Sequence, residues 1–312
     1  MSHPNNLVVR SINISEKKGT LKKPVDSVIM DAEGIQGDAH RGPWHRQVSL
    51  LSVKSLEDFE KVAGRTIQFG EFAENITLEG FDFAQIGILD RFRGNEVDLE
   101  VTQIGKACHG DDCAIFREVG KCAMPKEGLF CRVIKGGTVR TGERFTYERK
   151  VFTALILTLS DRASKGHYKD KSGQKIADVL NPYLAGKFRR YNIDRQIIPD
   201  DPEELIALLK RVNASYDLII TTGGTGIGTK DITPDIVEPL LDKQIPGIME
   251  RVRMKYGQDN PNALLSRSIA GIAGETMIYT LPGSTKAVEE YLEIILPTLK
   301  HTYFMVHDLD VH

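Results

Sequence analysis

Hydrophobic positions along the chain change rhythm near residue 150. Before that point they come in short alternating runs broken by glycine, at residues 7–9, 27–30, 47–51, 75–78, 96–101 and 132–134. Alternation of period two marks a strand with one buried face, so all six are expected as strands. Only Val53–Ala63 and residues 114–119 carry helical spacing. Many short strands with few helices predict a mainly β barrel or sandwich for residues 1–148.

A basic, polar join is expected over 141–150, after which long apolar runs alternate with amphipathic stretches. Residues 151–159, 194–199, Leu218–Thr222 and Thr276–Leu281 read as strands. Residues 172–185, 201–212, 235–241 and 286–304 read as helices, with Pro202 and two glutamates suiting the start of the second. Strands alternating with helices predict an α/β domain over 151–312, built on a parallel sheet covered on both faces. Ligands of such sheets sit beyond the carboxyl ends of the strands. Ser160-Asp161, the loop after Thr222 and Pro282-Gly283-Ser284 all fall there.

The most informative stretch is 218–235, Leu-Ile-Ile-Thr-Thr-Gly-Gly-Thr-Gly-Ile-Gly-Thr-Lys-Asp-Ile-Thr-Pro-Asp. It reads as strand, Gly/Thr loop and helix, with bare backbone N–H groups facing outward. Glycines let the backbone approach an anion closely, and a helix N-terminus carries partial positive charge. Asp231 and Asp235 flank the helix start. Carboxylates beside a phosphate cradle repel the ligand unless a divalent cation intervenes, and Mg²⁺ takes one or two carboxylates plus substrate phosphates. The alternative makes Asp231 an N-cap and Asp235 a complement to the helix dipole.

At 312 residues the chain fits two domains. Hydrophobic residues at 41% and charged residues at 27% describe a globular protein, and the net charge of −2 gives no electrostatic reason to bind nucleic acid. No apolar run reaches transmembrane length and the polar start is unlike a signal peptide, so no membrane partner and a cytoplasmic location are expected. The cysteines, Cys108, Cys113, Cys122 and Cys131, fall in one short segment. In a reducing compartment they read as a reactive thiol, a metal site or plain burial. Their spacing matches no common zinc pattern, and Cys122 and Cys131 stand in apolar surroundings that suit burial.

Six motifs follow one another in the second half: Thr158-Leu-Ser-Asp-Arg162, Ile198-Pro-Asp200, Thr221-Thr-Gly-Gly-Thr-Gly226, Asp231-Ile-Thr-Pro-Asp235, Ser266-Arg267 and Leu281-Pro-Gly-Ser284. Together they resemble the molybdopterin adenylyltransferase family, related to the gephyrin G domain. The resemblance implies a molybdopterin-binding α/β fold, a homotrimer, and transfer of AMP from ATP with Mg²⁺ to the terminal phosphate of molybdopterin. It implies Asp200 and Asp231 as catalytic positions, with Mg²⁺ held through the nucleotide by Asp231 and Asp235. The amides of Gly223, Gly224, Thr225 and Gly226 are then expected to hold phosphate oxygens, helped by the Thr222 and Thr225 hydroxyls. Ser160, Asp161, Ser266, Pro282, Gly283 and Ser284 complete the expected binding residues. Each has a plainer reading: Asp161 caps the next segment, Asp200 starts the following helix, and Ser284 caps the last one.

The first half carries Gly34-Ile-Gln-Gly-Asp-Ala-His40, Arg46-Gln-Val-Ser-Leu50, residues 70–80, Gly105-Lys-Ala-Cys-His109 and residues 124–137. These phrases resemble the MOSC domain, a β-rich module of molybdenum cofactor sulfurases. The resemblance implies handling of the molybdenum cofactor or its sulfur through a cysteine. Cys108 takes that position, with Lys106 or His109 to favour its thiolate and molybdenum as a candidate metal. Asp38, His40 and Arg46 are expected to line the same pocket, Arg46 pairing with the pterin phosphate. Asp38 and His40 read equally as turn residues, and Glu71 and Asn75 are open between site and structure.

The leading expectation is a bifunctional cofactor-assembly protein that hands its product to a molybdoenzyme or another assembly protein. The alternative is a non-catalytic molybdopterin carrier or storage protein. A MOSC-centred oxidoreductase is a third, and the chain carries no flavin or iron–sulfur motif to feed it electrons.

Overall fold

The computed structural model describes residues 7–80, 82–106, 123–212 and 214–309. Its contacts divide the chain into two units, Met1–Lys150 and Val151–His312. Among the described residues no helix is long and apolar enough to cross a membrane.

The first unit runs β1 Leu7–Ile14, β2 Lys23–Val25, β3 Ser27–Asp31, β4 Gly34–Ile35, β5 Val48–Ser52, α1 Val53–Ala63, β6 Ile76–Glu79, β7 Arg91–Arg93, β8 Asp98–Ile104, α2 Met124–Glu127, β9 Leu129–Lys135, β10 Gly137–Arg140 and β11 Arg144–Glu148. The main sheet has the order β11-β7-β8-β9-β5-β6-β1-β2, and β1 pairs back onto β11 with Leu7 opposite Phe145. Seven strands thus close a barrel and leave no free edge at the seam. Inward positions of alternate strands fill it, among them Val9, Ile12, Leu50, Ile76, Phe92, Leu99 and Phe145, all buried. The six expected strands all form. Helix α1 has the expected bounds because both ends are punctuated: the Ser52 hydroxyl accepts the Ser55 N–H, and Gly64 ends the helix at φ 68°. The helix expected at 114–119 lies outside the described residues.

The join at 141–150 needs correcting. Residues Arg144–Glu148 form β11, the strand that closes the barrel, with Phe145 and Tyr147 turned inward between exposed neighbours.

The second unit runs β12 Phe152–Leu159, α3 Asp161–Ser164, α4 Lys171–Lys187, β13 Tyr191–Ile198, α5 Pro202–Val212, β14 Leu218–Thr222, α6 Thr233–Val237, β15 Lys243–Gln244, α7 Pro246–Tyr256, β16 Ala270–Ala273, β17 Thr276–Leu281 and α8 Thr285–Val306. The sheet order is β13-β12-β14-β17-β16-β15. Strands β13, β12, β14 and β17 are parallel, whereas β16 and β15 are antiparallel, so the sheet is mixed at one edge. Every residue of β14 and β17 is buried, as expected of strands covered on both faces. The helix expected at 235–241 begins earlier, at Thr233 with Pro234 in its first turn, and gives way to a 3₁₀ turn at Glu238–Leu240. Helix α7 was not expected: only Ile248, Met249 and Val252 of its eleven residues are buried, too faint a stripe to read.

Candidate functional site

Parallel pairing brings the loops after β12, β13, β14 and β17 to one rim of the second unit. The loop after β14 is held against its neighbours by backbone. The Gly223 N–H is donated to the Leu281 carbonyl oxygen at 3.0 Å, and the Thr222 hydroxyl to the Pro282 carbonyl oxygen at 2.9 Å. Gly223 lies at φ 103°, where a Cβ would run into the Leu159 carbonyl oxygen. Gly224, at φ 62°, would drive a Cβ to 2.6 Å from the Thr233 hydroxyl oxygen. Both glycines are therefore required by close approach as well as by backbone conformation.

These contacts correct two expectations. The Gly223 amide and the Thr222 hydroxyl are committed to the protein and do not face a ligand. By contrast, the amides of Gly224, Thr225 and Gly226 meet no acceptor among the described residues. The three residues line a cavity of about 410 Å³. Ser266, Pro282, Gly283, Ser284 and Asp231 line it as well, together with Tyr256, Asn260, Asn262 and Tyr291, which the sequence did not single out. Free amides, side-chain amides and two aromatic rings around one space suit a planar, polar ligand that carries phosphate.

The serines each hold local structure. Ser284 caps α8, its hydroxyl accepting the Ala287 N–H at 3.2 Å, and Ser160 caps α3 by accepting the Ala163 N–H at 3.2 Å. The Ser266 hydroxyl accepts from the Tyr291 hydroxyl at 2.8 Å and lies 2.9 Å from that of Ser268.

The carboxylates fall into two groups. Asp161 and Asp200 clasp each other across the ends of β12 and β13. The Asp161 N–H donates to Asp200 Oδ2 at 3.0 Å, and the Asp200 N–H donates to Asp161 Oδ1 at 3.3 Å. Lys230 bridges the pair to the glycine loop, its ammonium 2.8 Å from Asp161 Oδ2. That hydrogen bond holds the Asp161 carboxyl below its ordinary range and raises the lysine. Asp161 and Asp200 form this clasp, and neither they nor Ser160 line the cavity.

Asp231 and Asp235 form the other group. Asp231 Oδ2 accepts the Gly228 N–H at 2.8 Å, while no hydrogen bond reaches its Oδ1 among the described residues. Asp235 is taken by Arg267, which sits 2.7 Å away and depresses the carboxyl. Arg267 also donates to the Gly226 and Asp231 carbonyl oxygens, tying the loop to α6. Among the described residues no group of three or more histidine, cysteine or acidic side chains could hold a metal by itself.

In the barrel unit, Asp38 is fully buried and paired with Lys22, which carries no local sign of that role in the sequence. Burial pulls the Lys22 ammonium below its ordinary value. The Asp38 carboxyl pays a desolvation penalty too, but hydrogen bonds from His40 and the Lys22 charge hold it well below the aspartate range. The neighbouring Glu74 is buried and raised by desolvation, its Oε1 accepting the Gly70 N–H at 2.7 Å. Arg46 lies over the Trp44 ring. Glu71 pairs with Arg65, and Asn75 bonds to Ser49, which makes both structural. Cys131 is buried and its thiol is pushed up by desolvation, an inert group as expected. Cys108, His109, Cys113 and Cys122 lie outside the described residues.

Comparison with known proteins places both halves. Residues 155–301 match the family described as a probable molybdopterin binding domain, and residues 37–146 match the MOSC domain. The chain is 39% identical over 148 residues to a molybdopterin adenylyltransferase of Helicobacter pylori, an overlap covering 47% of this chain and 82% of that protein. With a molybdopterin adenylyltransferase of Pyrococcus furiosus the identity is 38% over 158 residues, 49% of this chain and 89% of the other. Gephyrin of Dictyostelium discoideum is 38% identical over 159 residues, which is 49% of this chain but 22% of gephyrin. The chain belongs to the family of the molybdopterin adenylyltransferases, carrying their probable molybdopterin binding domain after a MOSC domain.

Proposed function

We propose that the second unit adenylylates molybdopterin in molybdenum cofactor biosynthesis, with Mg²⁺·ATP as co-substrate. An oxygen of the molybdopterin phosphate attacks the α-phosphorus of ATP. The bond from that phosphorus to the bridging oxygen breaks, pyrophosphate leaves, and AMP remains on the attacking phosphate. The attacking group is already ionised near neutral pH, so the work is positioning and charge neutralisation.

The observation that carries this reading is the run of three unpartnered amides, Gly224 to Gly226, at the wall of the cavity. They suit a phosphate whose charge grows during transfer. Asp231, with one carboxylate oxygen left open, suits the Mg²⁺ that arrives with the nucleotide. Asp235 suits it less, because Arg267 already neutralises it. The names of the relatives point to the same chemistry. The MOSC match supports a role for the barrel unit in binding or modifying the product.

The test is pyrophosphate release from purified molybdopterin, ATP and Mg²⁺, comparing the intact chain with Asp231→Asn, which keeps an acceptor for Gly228. Turnover that collapses in the variant supports the reading. Tight molybdopterin binding without pyrophosphate, from folded protein, overturns it in favour of a carrier.

A further inference from the structure

Three carboxylates stand close together on α8, and they are partnered unequally. Glu289 is met by the Lys175 ammonium at 2.6 Å. Glu293 is held by both the Lys255 ammonium and the Tyr256 hydroxyl. Glu290 has no such contact. No hydrogen bond reaches its carboxylate among the described residues. Its ion-pair partner, Lys286, stays 3.6 Å away on a side chain that is 79% exposed, whereas the Glu290 side chain is only 20% exposed. Glu290 lines the cavity beside the glycine loop together with Ala287 and Tyr291, since positions three and four apart share one face of a helix.

A carboxylate drawn out of water needs N–H or O–H donors, and while ionised it offers none itself. The tyrosines of the wall do not supply them. Tyr256 gives its hydroxyl to Glu293 and Tyr291 gives its own to Ser266, which leaves their rings to line the cavity. The donors must therefore come with the ligand. The free amides of Gly224, Thr225 and Gly226 draw a phosphate to the loop, while Glu290 repels it. A phosphorylated planar ligand is thus turned with its phosphate on the loop and a donor-rich ring edge on α8.

Two parallel N–H groups match the two oxygens of a carboxylate, as they do in a guanidinium. A 2-amino-4-oxopyrimidine ring has this edge, formed by its exocyclic amine and the adjoining ring N–H. Adenine lacks it: its amine adjoins a ring nitrogen whose lone pair would face the carboxylate. We propose that Glu290 sets the specificity of the cavity by accepting both N–H groups of a 2-amino-4-oxopyrimidine ring, the edge shared by pterins and guanine. The adenine of the nucleotide then lies outside the cavity. Glu290 takes this role on the reading that the cavity is the substrate site of the proposed transfer.

The test measures binding of pterin and of lumazine, which carries an oxygen in place of the amine, to the intact chain by equilibrium dialysis near neutral pH, without ATP or Mg²⁺. Pterin is expected to bind about tenfold more tightly than lumazine, or better, the size of effect of hydrogen bonds to a charged group. In Glu290→Gln the ratio should fall to about one, because a carboxamide can meet either an amine or a carbonyl oxygen. Displacement of pterin by guanosine monophosphate means that the edge alone is read, and its absence means that the pteridine ring is the ligand. Failure of pterin to bind, equal binding of the two rings, an unchanged ratio in Glu290→Gln, or displacement of pterin by adenosine monophosphate overturns the proposal. A purely structural Glu290 would weaken both rings alike and keep the ratio. Pyrophosphate release plays no part in this measurement. A carrier that never transfers AMP would still prefer pterin, and a transferase indifferent to the ring would lose only the role of Glu290.

Discussion

Lys230 reaches Asp161 across 69 residues of sequence, its ammonium 2.8 Å from the carboxylate, and so fastens the end of the glycine loop to the end of β12. The lysine is largely open to water and the carboxylate partly so, which screens the pair until it adds little to stability. Its effect is local: it keeps charge and loop together on the rim.

Lys230→Met is therefore expected to leave the melting temperature unchanged while raising the KM for ATP about tenfold. The sign of the pH dependence follows from the depressed Asp161 carboxyl. The pairing is complete above the ordinary aspartate value of 3.8 and fails only as pH falls through the lower folded value. The KM effect should accordingly be the same on both sides of neutrality. A variant that melts earlier and binds ATP normally would assign Lys230 to the fold alone.

Gly223→Ala tests the loop. Its Cβ would meet the Leu159 carbonyl oxygen, and φ 103° is hostile to a side chain, so the loop must move. Pyrophosphate release should fall about a hundredfold, the size of effect expected when a reacting group is displaced by about 1 Å. Circular dichroism separates this from unfolding, and near-normal turnover would mean that the loop does not position the phosphates.

The buried pair of the barrel makes a sharper prediction about stability. Asp38→Asn leaves the Lys22 ammonium buried without its counter-charge, at a cost of about 3–5 kcal/mol. Lys22→Met combined with Asp38→Asn should recover most of that loss in urea denaturation. If the double variant is as unstable as the sum of the single ones, the two residues act independently.

Glu74 gives the opposite pH dependence. Burial raises its carboxyl, so the stability of the neutral form is complete below the ordinary glutamate value of 4.5 and declines as pH rises through the folded value. Glu74→Gln keeps an acceptor for Gly70 and removes the ionisation. Thermal midpoints of the variant should exceed wild type increasingly as pH rises. Parallel curves would show that Glu74 does not ionise in this range.

What the sequence made legible was whatever repeats locally. The alternating runs at 27–30 and 75–78 became strands because alternation is what one buried face requires. Strand β11 has the same alternation, but its inward pair, Phe145 and Tyr147, is masked by Arg144, Glu148 and a charged flank. The glycine loop was readable as a turn between a buried strand and a helix. That Thr222 and Gly223 spend their donors on Pro282 and Leu281 was not, because those partners lie about sixty residues away and are set by strand order. The same holds for Lys230 with Asp161 and for Lys22 with Asp38: an isolated lysine carries no local sign of the carboxylate it will meet.

The seam of the barrel has one last consequence. Since Leu7 lies opposite Phe145, the polypeptide enters and leaves this unit at neighbouring points. Such a unit behaves as a cassette. It can be spliced before, behind or into another domain without stretching its host, and it carries its own closure wherever it is placed.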